Sequence, residues 1–159
     1  MSIILSDNML LEKVDKTNNE HKEIIKKINK DNKIKKYIIG ILNDFDELIS
    51  YYDLYNNEMF NNVYFVRYNN IIVGTIELVG CEDDLYINYA ILEEYRGQNI
   101  GTKMLRLITL YLLNIVKKIT LSIKESNVES IALASKIGYK PNNNKFLGYI
   151  DYQITSLPK

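Results

Sequence analysis

The sequence predicts an α/β (α+β) fold, a mixed central β-sheet flanked by helices, with elements in the order α-α-β-β-β-α-β-α-β. Three observations lead to this prediction: two amphipathic helical segments open the chain, a β-hairpin pattern follows, and two strand–helix units precede a last strand. The 159 residues contain neither an internal repeat nor a Pro- or Gly/Ser-rich linker. We therefore expect one domain spanning residues 1–159, a length that allows a stable core.

Capping patterns and apolar spacing predict the two N-terminal helices. Thr17 and Glu20 have the spacing of a capping box, and Asp44 and Glu47 mark the start of the second helix in the same way. The apolar positions at helical spacing are Ile24, Ile25 and Ile28 in the first helix and Phe45, Leu48, Ile49, Tyr52 and Tyr55 in the second. His21 lies among charged residues, and we interpret it as a surface histidine.

The middle of the chain predicts a hairpin, a third strand and a buried helix. Asn69 and Asn70 join the runs VYFVRY and IIVGTIELVG, and asparagine tolerates the positive φ of a tight turn. The third strand is expected from Asp84 to Leu92, and a helix should follow to about Asn114. Its apolar residues cover a wide face. They are Ile100, Met104, Leu105, Leu107, Ile108, Leu110, Tyr111, Leu112 and Ile115.

The C-terminal third predicts a strand, a helix and a last strand. KKITLSI alternates apolar and polar residues, which is typical of a strand. Ser126 and Glu129 form a second capping-box pattern, and Gly138 suits the left-handed stop of the helix that follows. We interpret the Asn-rich PNNNK as a turn and YIDYQIT as the final strand.

Balanced charge and a single cysteine restrict the classes of function. Twenty basic and twenty acidic residues give zero formal net charge, which does not favour nucleic acid or an anionic membrane as a partner. Cys81 is the only cysteine, so we expect a small buried residue in a reducing, cytoplasmic setting. One His and one Cys far apart predict no metal site. No apolar run approaches the roughly 20 residues of a membrane span, and no signal-peptide pattern opens the chain.

The junction EEYRGQNIGTKML, Glu93 to Leu105, carries the strongest functional signal. The first turn of a helix has unpaired N–H groups and the positive end of the helix dipole, so a glycine-containing loop before it forms an anion site. Arg96 or Lys103 would add a positive charge. The spacing of Gly97 and Gly101 is that of neither a dinucleotide fingerprint nor a P-loop. A plain tight turn is the alternative interpretation.

This stretch resembles the acyl-CoA-binding loop of the GNAT superfamily of N-acetyltransferases, which reads Arg/Gln-x-x-Gly-x-Gly/Ala and opens a helix after a strand. The matching residues are Arg96, Gly97, Gln98, Ile100 and Gly101. Asn99 replaces the central glycine of the pattern, and asparagine is the residue that best tolerates positive φ after glycine.

A second segment, LSIKESNVESIALASKIGYK, resembles the later signature of the same family. Its matching positions are Asn127, Ser130, Leu133, Ala134, Lys136, Gly138 and Tyr139. This form is most similar to the branch that acetylates ribosomal-protein N-termini (RimJ/RimL-like), and spermidine acetyltransferases are near relatives. The resemblance therefore implies a GNAT-like fold and transfer of acetyl from acetyl-CoA, the cosubstrate, to a primary amine, without a metal.

The resemblance also implies where acetyl-CoA binds. In that fold the strand ending at Leu92 diverges from the strand at Thr120–Ile123, the pantetheine arm lies in the gap, and the pyrophosphate lies on the 97–102 loop. The implied binding residues are Ile91, Leu92, Arg96, Gly97, Gln98, Asn99, Ile100, Gly101, Thr102 and Asn127. For Asn127, a role in capping the helix is the alternative.

The main candidates for the chemistry are Ser130, Glu77 and Tyr89. Many family members have a tyrosine where Ala134 stands, to protonate the leaving thiolate, and the resemblance to the ribosomal-protein branch implies Ser130 as the donor instead. The attacking amine must be neutral, whereas a free alkylamine has a pKa near 10. Glu77 and Tyr89 are therefore candidate bases, with Asp151 as a third.

The acceptor is left open by the sequence. A protein or peptide N-terminus is the leading interpretation, and a small amine such as a polyamine, an amino sugar or an antibiotic is the second, with Glu82–Asp84 as a candidate acidic pocket. A catalytically weak acyl-CoA-binding protein and a domain that binds no CoA are further alternatives. The Tyr-rich ISYYDLYNNEMF could supply the contact of a homodimer or the packed face of a helix.

Overall fold

The computed structural model describes residues 2–36, 42–54 and 58–157, and the predicted core position Tyr55 lies outside them. The described residues form one sheet in the order β1-β2-β3-β4-β5-β6-β8-β7. Its strands are β1 (Ser2–Ser6), β2 (Met9–Lys13), β3 (Asn62–Tyr68), β4 (Ile71–Gly80), β5 (Leu85–Ile91), β6 (Ile119–Lys124), β7 (Lys140–Phe146) and β8 (Tyr149–Ile154). Neighbouring strands are antiparallel except β5 and β6, which are parallel. This mixed sheet confirms the predicted fold class.

Helices cover both faces of this sheet. They are α1 (Asn19–Asn29), the short α2 (Asn32–Ile34), α3 (Phe45–Asp53), α4 (Ile100–Leu112) and α5 (Val128–Ile137), with a 3₁₀ turn at Glu93–Tyr95 before α4. One core packs α4 and α5 against the sheet around Ile76, Leu78 and Met104. A second core packs α1 and α3 against the other face around Phe45 and Phe65, whose rings stack.

Two parts of the sheet differ from the predicted element order. The N-terminal hairpin β1–β2 was not predicted, although Ile3, Met9 and Leu11 alternate and are buried in the structure. The Asn-rich segment predicted as a turn is strand β7, every residue of which is exposed. The turn lies instead at Leu147 and Gly148, both at positive φ. An exposed edge strand lacks the apolar alternation by which a strand is recognised.

Four local predictions are wrong. The predicted capping pair Ser126–Glu129 is not used, because Asn127 is the N-cap of α5. His21 is buried, not on the surface: its ring contacts the edge of Phe65 and its Nε2 lies 2.9 Å from Glu12 Oε1. Cys81 is exposed, because it follows the end of β4. The cap of α1 is Asn18, whose side chain accepts a hydrogen bond from His21 N–H, so the predicted capping-box pair is not used.

Strands β5 and β6 diverge after a short paired stretch. Their register pairs only Leu85 with Ile119 and Tyr86 with Thr120. Leu92 N–H donates to Val73 O on the β4 side, and alternate residues of a strand direct their backbone groups to opposite neighbours. The backbone groups of Ile87, Tyr89 and Ile91 therefore point towards the side of β6, where pairing has ended. This opening, which we call the strand gap, positions the candidate site.

Candidate active site

The loop before α4 has the backbone shape that an anion cradle requires. Asn99 is the N-cap of α4 and adopts the left-handed conformation, with φ 60° and ψ 14°. Gly97 also has positive φ, at 77°, and no heavy atom lies within 4 Å of where its Cβ would be. Asn99 provides no side-chain cap for α4, so the N–H groups of the first turn are free of such a partner. The prediction that Asn99 takes a positive φ is confirmed.

The positive charges near this loop are held by partners. Arg96 Nε donates to Ile91 O at 3.0 Å, and its Nη2 lies 2.8 Å from Asp31 Oδ2. Lys103 Nζ donates to Tyr68 Oη at 2.9 Å. The backbone amides, rather than a free guanidinium, therefore supply most of the positive potential at the start of α4.

A cleft of about 290 Å³ runs from this loop into the strand gap. Its lining residues come from five elements: Lys33, Ile34, Tyr89, Ala90, Ile91, Tyr95, Arg96, Gly97, Asn99, Ile100, Gly101, Thr102, Asn127, Glu129, Ser130 and Leu133. Lys33 Nζ and Glu129 Oε2 are joined by an ion pair of 3.0 Å between α2 and α5. The helix α2 was not predicted, so its contribution to the cleft was missed.

Most of the predicted site residues meet in this cleft, but Leu92, Gln98, Glu77 and the further candidate base Asp151 do not line it. Leu92 is buried, and its N–H is already bonded to the sheet. The exposed Gln98 donates from its side chain to Glu94 O at 3.3 Å. Glu77 lies on β4, away from the cleft lining.

Two hydroxyl groups meet at the inner end of the cleft. Tyr89 Oη and Ser130 Oγ are 3.1 Å apart, close enough for a hydrogen bond between β5 and α5. Burial raises the pKa of the Tyr89 phenol, and the bond to Ser130 lowers it by a smaller amount. Tyr89 is therefore a neutral phenol at physiological pH, which suits an acid or a relay better than a base.

Asn127 takes the capping role that was the alternative prediction for it. Its Oδ1 accepts from Ser130 N–H at 3.3 Å at the start of α5. Its Nδ2 makes no hydrogen bond with the described part of the chain and can still donate towards the cleft. Capping and ligand binding are thus compatible at this residue.

Glu77 is a buried carboxyl on the opposite face of the sheet, only 4% exposed. Burial raises its pKa, while hydrogen bonds with Tyr52 and Asn88 lower it by smaller amounts. It makes no ion pair with a described residue. Asn88 lies between Glu77 and the strand gap, which it lines. The carboxyl therefore reaches the gap only through this amide.

A small cavity in the strand gap continues the cleft. It shares Tyr89, Asn127 and Ser130 with the cleft and extends to Ser122 and Tyr149 on β6 and β8. The resemblance implied the gap between β5 and the strand at Thr120–Ile123, but it did not single out the side chains of β6 and β8 that line the cavity. The missed residues of the cleft and cavity include Lys33, Ile34, Tyr95, Glu129, Leu133, Asn88, Ser122, Lys124 and Tyr149.

The donor set and shape of the cleft fit a phosphate-bearing, chain-like ligand such as coenzyme A. The open space beside Gly97 leaves room for a bulky anionic group against the loop. At Gly101, an added Cβ would lie 3.3 Å from Leu133 Cδ1 and 3.5 Å from Ile91 Cγ1, so the glycine keeps the cleft floor open. Within the described residues, no cluster of His, Cys, Asp and Glu suited to a metal ion is found.

Diverging parallel strands beside a helix N-terminus define the class of an acyl-CoA-dependent transferase fold. The profile of the Acetyltransferase (GNAT) family matches residues 28–139. The chain belongs to this family, and the family and enzyme class predicted from its two motifs are confirmed. No protein of curated function matches the sequence significantly.

Solved structures agree with this fold. RimL, the ribosomal L7/L12 α-N-protein acetyltransferase in complex with coenzyme A, is 16% identical with a TM-score of 0.75, covering 98% of each chain. An acetyltransferase from Salmonella typhimurium that modifies the N-terminal serine of ribosomal protein L7/L12 is 16% identical with a TM-score of 0.77, covering 98% of this chain and 99% of its own. The microcin C7 self-immunity acetyltransferase MccE, in complex with acetyl-CoA and AMP, is 18% identical with a TM-score of 0.70, covering 96% and 94%.

Among the described helices, none is long and apolar enough to cross a membrane.

Proposed function

We propose that the protein transfers an acetyl group from acetyl-CoA to a primary amine, and that the amine is a protein or peptide N-terminus. The observation that carries this proposal is the continuity of the cleft, which leads from the N-terminus of α4 to the Tyr89–Ser130 pair inside the strand gap. An anion site and a proton donor at the two ends of one cleft suit a ligand with phosphates at one end and a reactive thioester at the other.

The loop and the strand gap would hold the two halves of acetyl-CoA, which supplies an activated acetyl thioester when bound. The free N–H groups around Gly97 and Gly101 would bind the pyrophosphate oxygens. The backbone groups of Tyr89 and the N–H of Ile91, which point into the gap, would pair with the amides of the pantetheine arm, as an added strand does. Ile91 O already accepts from Arg96 Nε. Asn127 Nδ2 would add one further donor.

Ser130 and Tyr89 would supply the proton that the leaving sulfur needs. Ser130 Oγ lies at the inner end of the cleft and would donate, while Tyr89 Oη, 3.1 Å away, would restore the proton to the serine. A neutral phenol is the form that can do this, and burial maintains that form by raising the pKa of Tyr89.

Glu77 is the base candidate whose environment fits best. Burial raises the pKa of its carboxyl towards the range in which a general base is effective near neutral pH. Since Asn88 separates it from the strand gap, Glu77 would accept the amine proton through a water beside that amide. Its role is therefore proposed as indirect.

The preference for an N-terminus rests on similarity of fold to enzymes that act on ribosomal protein L7/L12. MccE, a structural neighbour with a different role, favours the small-amine alternative. Residues 1–159 are proposed to act as one domain in the cytoplasm, and the homodimer stays a prediction. In the candidate dimer segment, Ile49 and Tyr52 are buried in a core, whereas Tyr51 and Leu54 are exposed.

Isothermal titration with acetyl-CoA and with CoA tests the cofactor site first. Wild-type protein should bind both with micromolar affinity, and Gly101→Glu should abolish binding because it places bulk and negative charge against the cradle. Leu110→Glu is the matched control, since it adds the same charge to an exposed position of α4 far from the loop. Circular dichroism verifies that each variant is folded.

Binding must then be linked to transfer. Incubation with acetyl-CoA and a set of peptides with different N-terminal residues, followed by mass spectrometry, should show a gain of one acetyl group on the α-amine. If well-folded wild type binds neither acetyl-CoA nor CoA, the proposal is wrong. Acetylation of small amines in place of peptides would select the alternative acceptor class.

A further inference from the structure

A second cavity, of about 390 Å³, lies beside the β7–β8 hairpin, and we call it the hairpin cavity. Its lining residues are Tyr86, Ser122, Asn144, Phe146, Leu147, Tyr149 and Asp151. Three of these are aromatic, one is a carboxylate, and none is a lysine or an arginine.

Asp151 is a carboxylate without a cationic partner. It is only 8% exposed, yet it forms no ion pair with any residue that the structure describes. Its hydrogen bonds all go to Oδ2, from Asn144 Nδ2 at 3.0 Å and, more weakly, from Tyr86 Oη at 3.5 Å. Oδ1 has no described partner and is not among the fully buried atoms that lack one, so it can still be reached from the cavity. An accessible carboxylate oxygen on a largely buried side chain without a cation suits an ammonium group that arrives with a ligand.

The aromatic rings around Asp151 also favour a cation. The faces of Tyr and Phe rings attract ammonium groups, and a carboxylate beside aromatic rings is the usual composition of an alkylammonium site. One of these rings already makes a cation–π contact within the protein, since Lys124 Nζ lies 6.0 Å from the centre of the Tyr149 ring. Phe146 and Leu147, which are 73% and 81% exposed, form an apolar rim suited to an alkyl chain.

The hairpin cavity adjoins the strand gap. Ser122 and Tyr149 line both spaces, and Ser122 is the register partner of Asp151. The gap in turn contains Tyr89 and Ser130, where we place the transfer. A molecule with its reactive amine at this pair could therefore extend a second group past Tyr149 to Asp151.

We propose that the hairpin cavity binds an alkylammonium group of the acceptor, separate from the amine that is acetylated, and that Asp151 determines this specificity. This inference rests on the proposed acetyl transfer, because it concerns the acceptor of that reaction. Glu77, also buried without a cation, is a weaker candidate: its carboxyl is occupied by Tyr52 and Asn88 and lines none of these cavities.

The ammonium group could come from a diamine or from a lysine side chain near a peptide N-terminus. Titration calorimetry with two matched pairs separates these sources. One pair is 1,4-diaminobutane and 1-aminobutane; the other is a Ser-Lys peptide and the same peptide with norleucine in place of lysine. Wild type should bind the doubly cationic member of at least one pair about 10-fold or more tightly, as expected for a charge-assisted hydrogen bond.

Variants test whether Asp151 is the cause. Asp151→Asn keeps the size of the side chain and should abolish the preference. Asp7→Asn removes the same charge from the exposed β1–β2 turn, at the opposite end of the sheet, and should retain the preference. Tyr149→Phe keeps an aromatic ring and should retain the preference for the doubly cationic ligand. Tyr149→Leu removes the ring and should reduce this preference. The titrations are done without acetyl-CoA, so they can be interpreted even if the protein does not bind acetyl-CoA.

The two arms give different conclusions about the source. A preference within the diamine pair alone supports a small polycationic acceptor, and one within the peptide pair alone supports an N-terminus followed by lysine. Equal binding of both members in both pairs would overturn the proposal. So would a preference that persists in folded Asp151→Asn.

Discussion

Tyr89 and Ser130 show how the site depends on the environment of single side chains. Either hydroxyl alone is a weak acid, but the two lie 3.1 Å apart at the end of the cleft, within hydrogen-bond distance of each other. The sequence offered both residues as candidates without connecting them, since 41 positions separate them along the chain. Their pairing follows from the divergence of β5 and β6, which brings α5 over the open side of β5.

We expect Ser130→Ala to lower kcat by roughly 10²–10⁴-fold, the usual contribution of a general acid, with little change in acetyl-CoA affinity. Tyr89→Phe should cause a smaller loss, because Ser130 can still donate and water can restore its proton. Steady-state kinetics together with calorimetry measures both quantities.

The matched control for this prediction is Ser135→Ala, on the exposed face of the same helix. It should leave kcat unchanged. An active Ser130→Ala enzyme with normal kcat would show that the leaving group takes its proton from elsewhere, and Tyr89 and Ser130 would then be structural neighbours only.

At the scale of elements, the junction between β5 and α4 follows closely from its sequence. Positive φ at Gly97 and Asn99 allows the chain to reverse and begin α4 with its N–H groups towards the cleft. The two motif segments were sufficient to locate this junction and α5. Both segments contain a turn or a helix cap. These features depend on residues that are close together in the sequence, so they can be predicted from it.

Other elements could not be read so directly. The hairpin β1–β2 has two strands of only five residues each, and such short alternating runs are a weak signal of a strand. Strand β7 has no buried residue, so its pairing with β8 leaves no apolar pattern in the sequence. The hairpin cavity depends on that pairing, since Asn144 contacts Asp151 only when β7 is a strand with an irregular register. This part of the molecule was therefore not predictable from pattern.

Substitutions at Asn99 test the strained junction directly. Asn99→Ala should lower the free energy of unfolding by about 1 kcal/mol, because a Cβ-bearing residue without a side chain to support it disfavours the left-handed region. Asn99→Gly should be neutral or slightly stabilising, and both should be measurable by urea denaturation with an unchanged m-value. If Asn99→Ala is as stable as wild type, the junction does not need a left-handed residue in solution.

At the scale of the whole molecule, the sheet separates two cores, and one of its two faces has a polar strip. The α4–α5 face contains the larger core and the Tyr89–Ser130 pair, whereas the α1–α3 face buries Glu77 behind Tyr52. On this second face, the polar residues Glu77, Asn88, Ser122 and Asp151 lie on successive strands of the sheet. Such a strip costs stability and is consistent with a surface that handles protons and amines.

The charge state of Glu77 should make the stability of the protein depend on pH in a specific direction. Burial raises the pKa of Glu77 above its usual value of 4.5, so the folded state retains a proton that the unfolded state has lost. The stability from this group is complete below about pH 4.5 and is lost as pH rises through the folded-state pKa. Each unit of that increase corresponds to about 1.4 kcal/mol.

Glu77→Gln removes this dependence while keeping an oxygen that accepts from Tyr52. The difference in free energy of unfolding between variant and wild type should therefore grow in favour of the variant from pH 4.5 upwards and level off above the folded-state pKa. Urea titrations at half-unit intervals from pH 4 to pH 9 measure it. Glu12 and Glu20 have lowered pKa values, so their contributions to stability change with pH in the opposite direction. These contributions are the same in both proteins and cancel in the difference in free energy of unfolding. A constant difference across this range would mean that Glu77 ionises as it does in the unfolded chain, and it would then be exposed to water near Asn88 rather than sealed behind Tyr52.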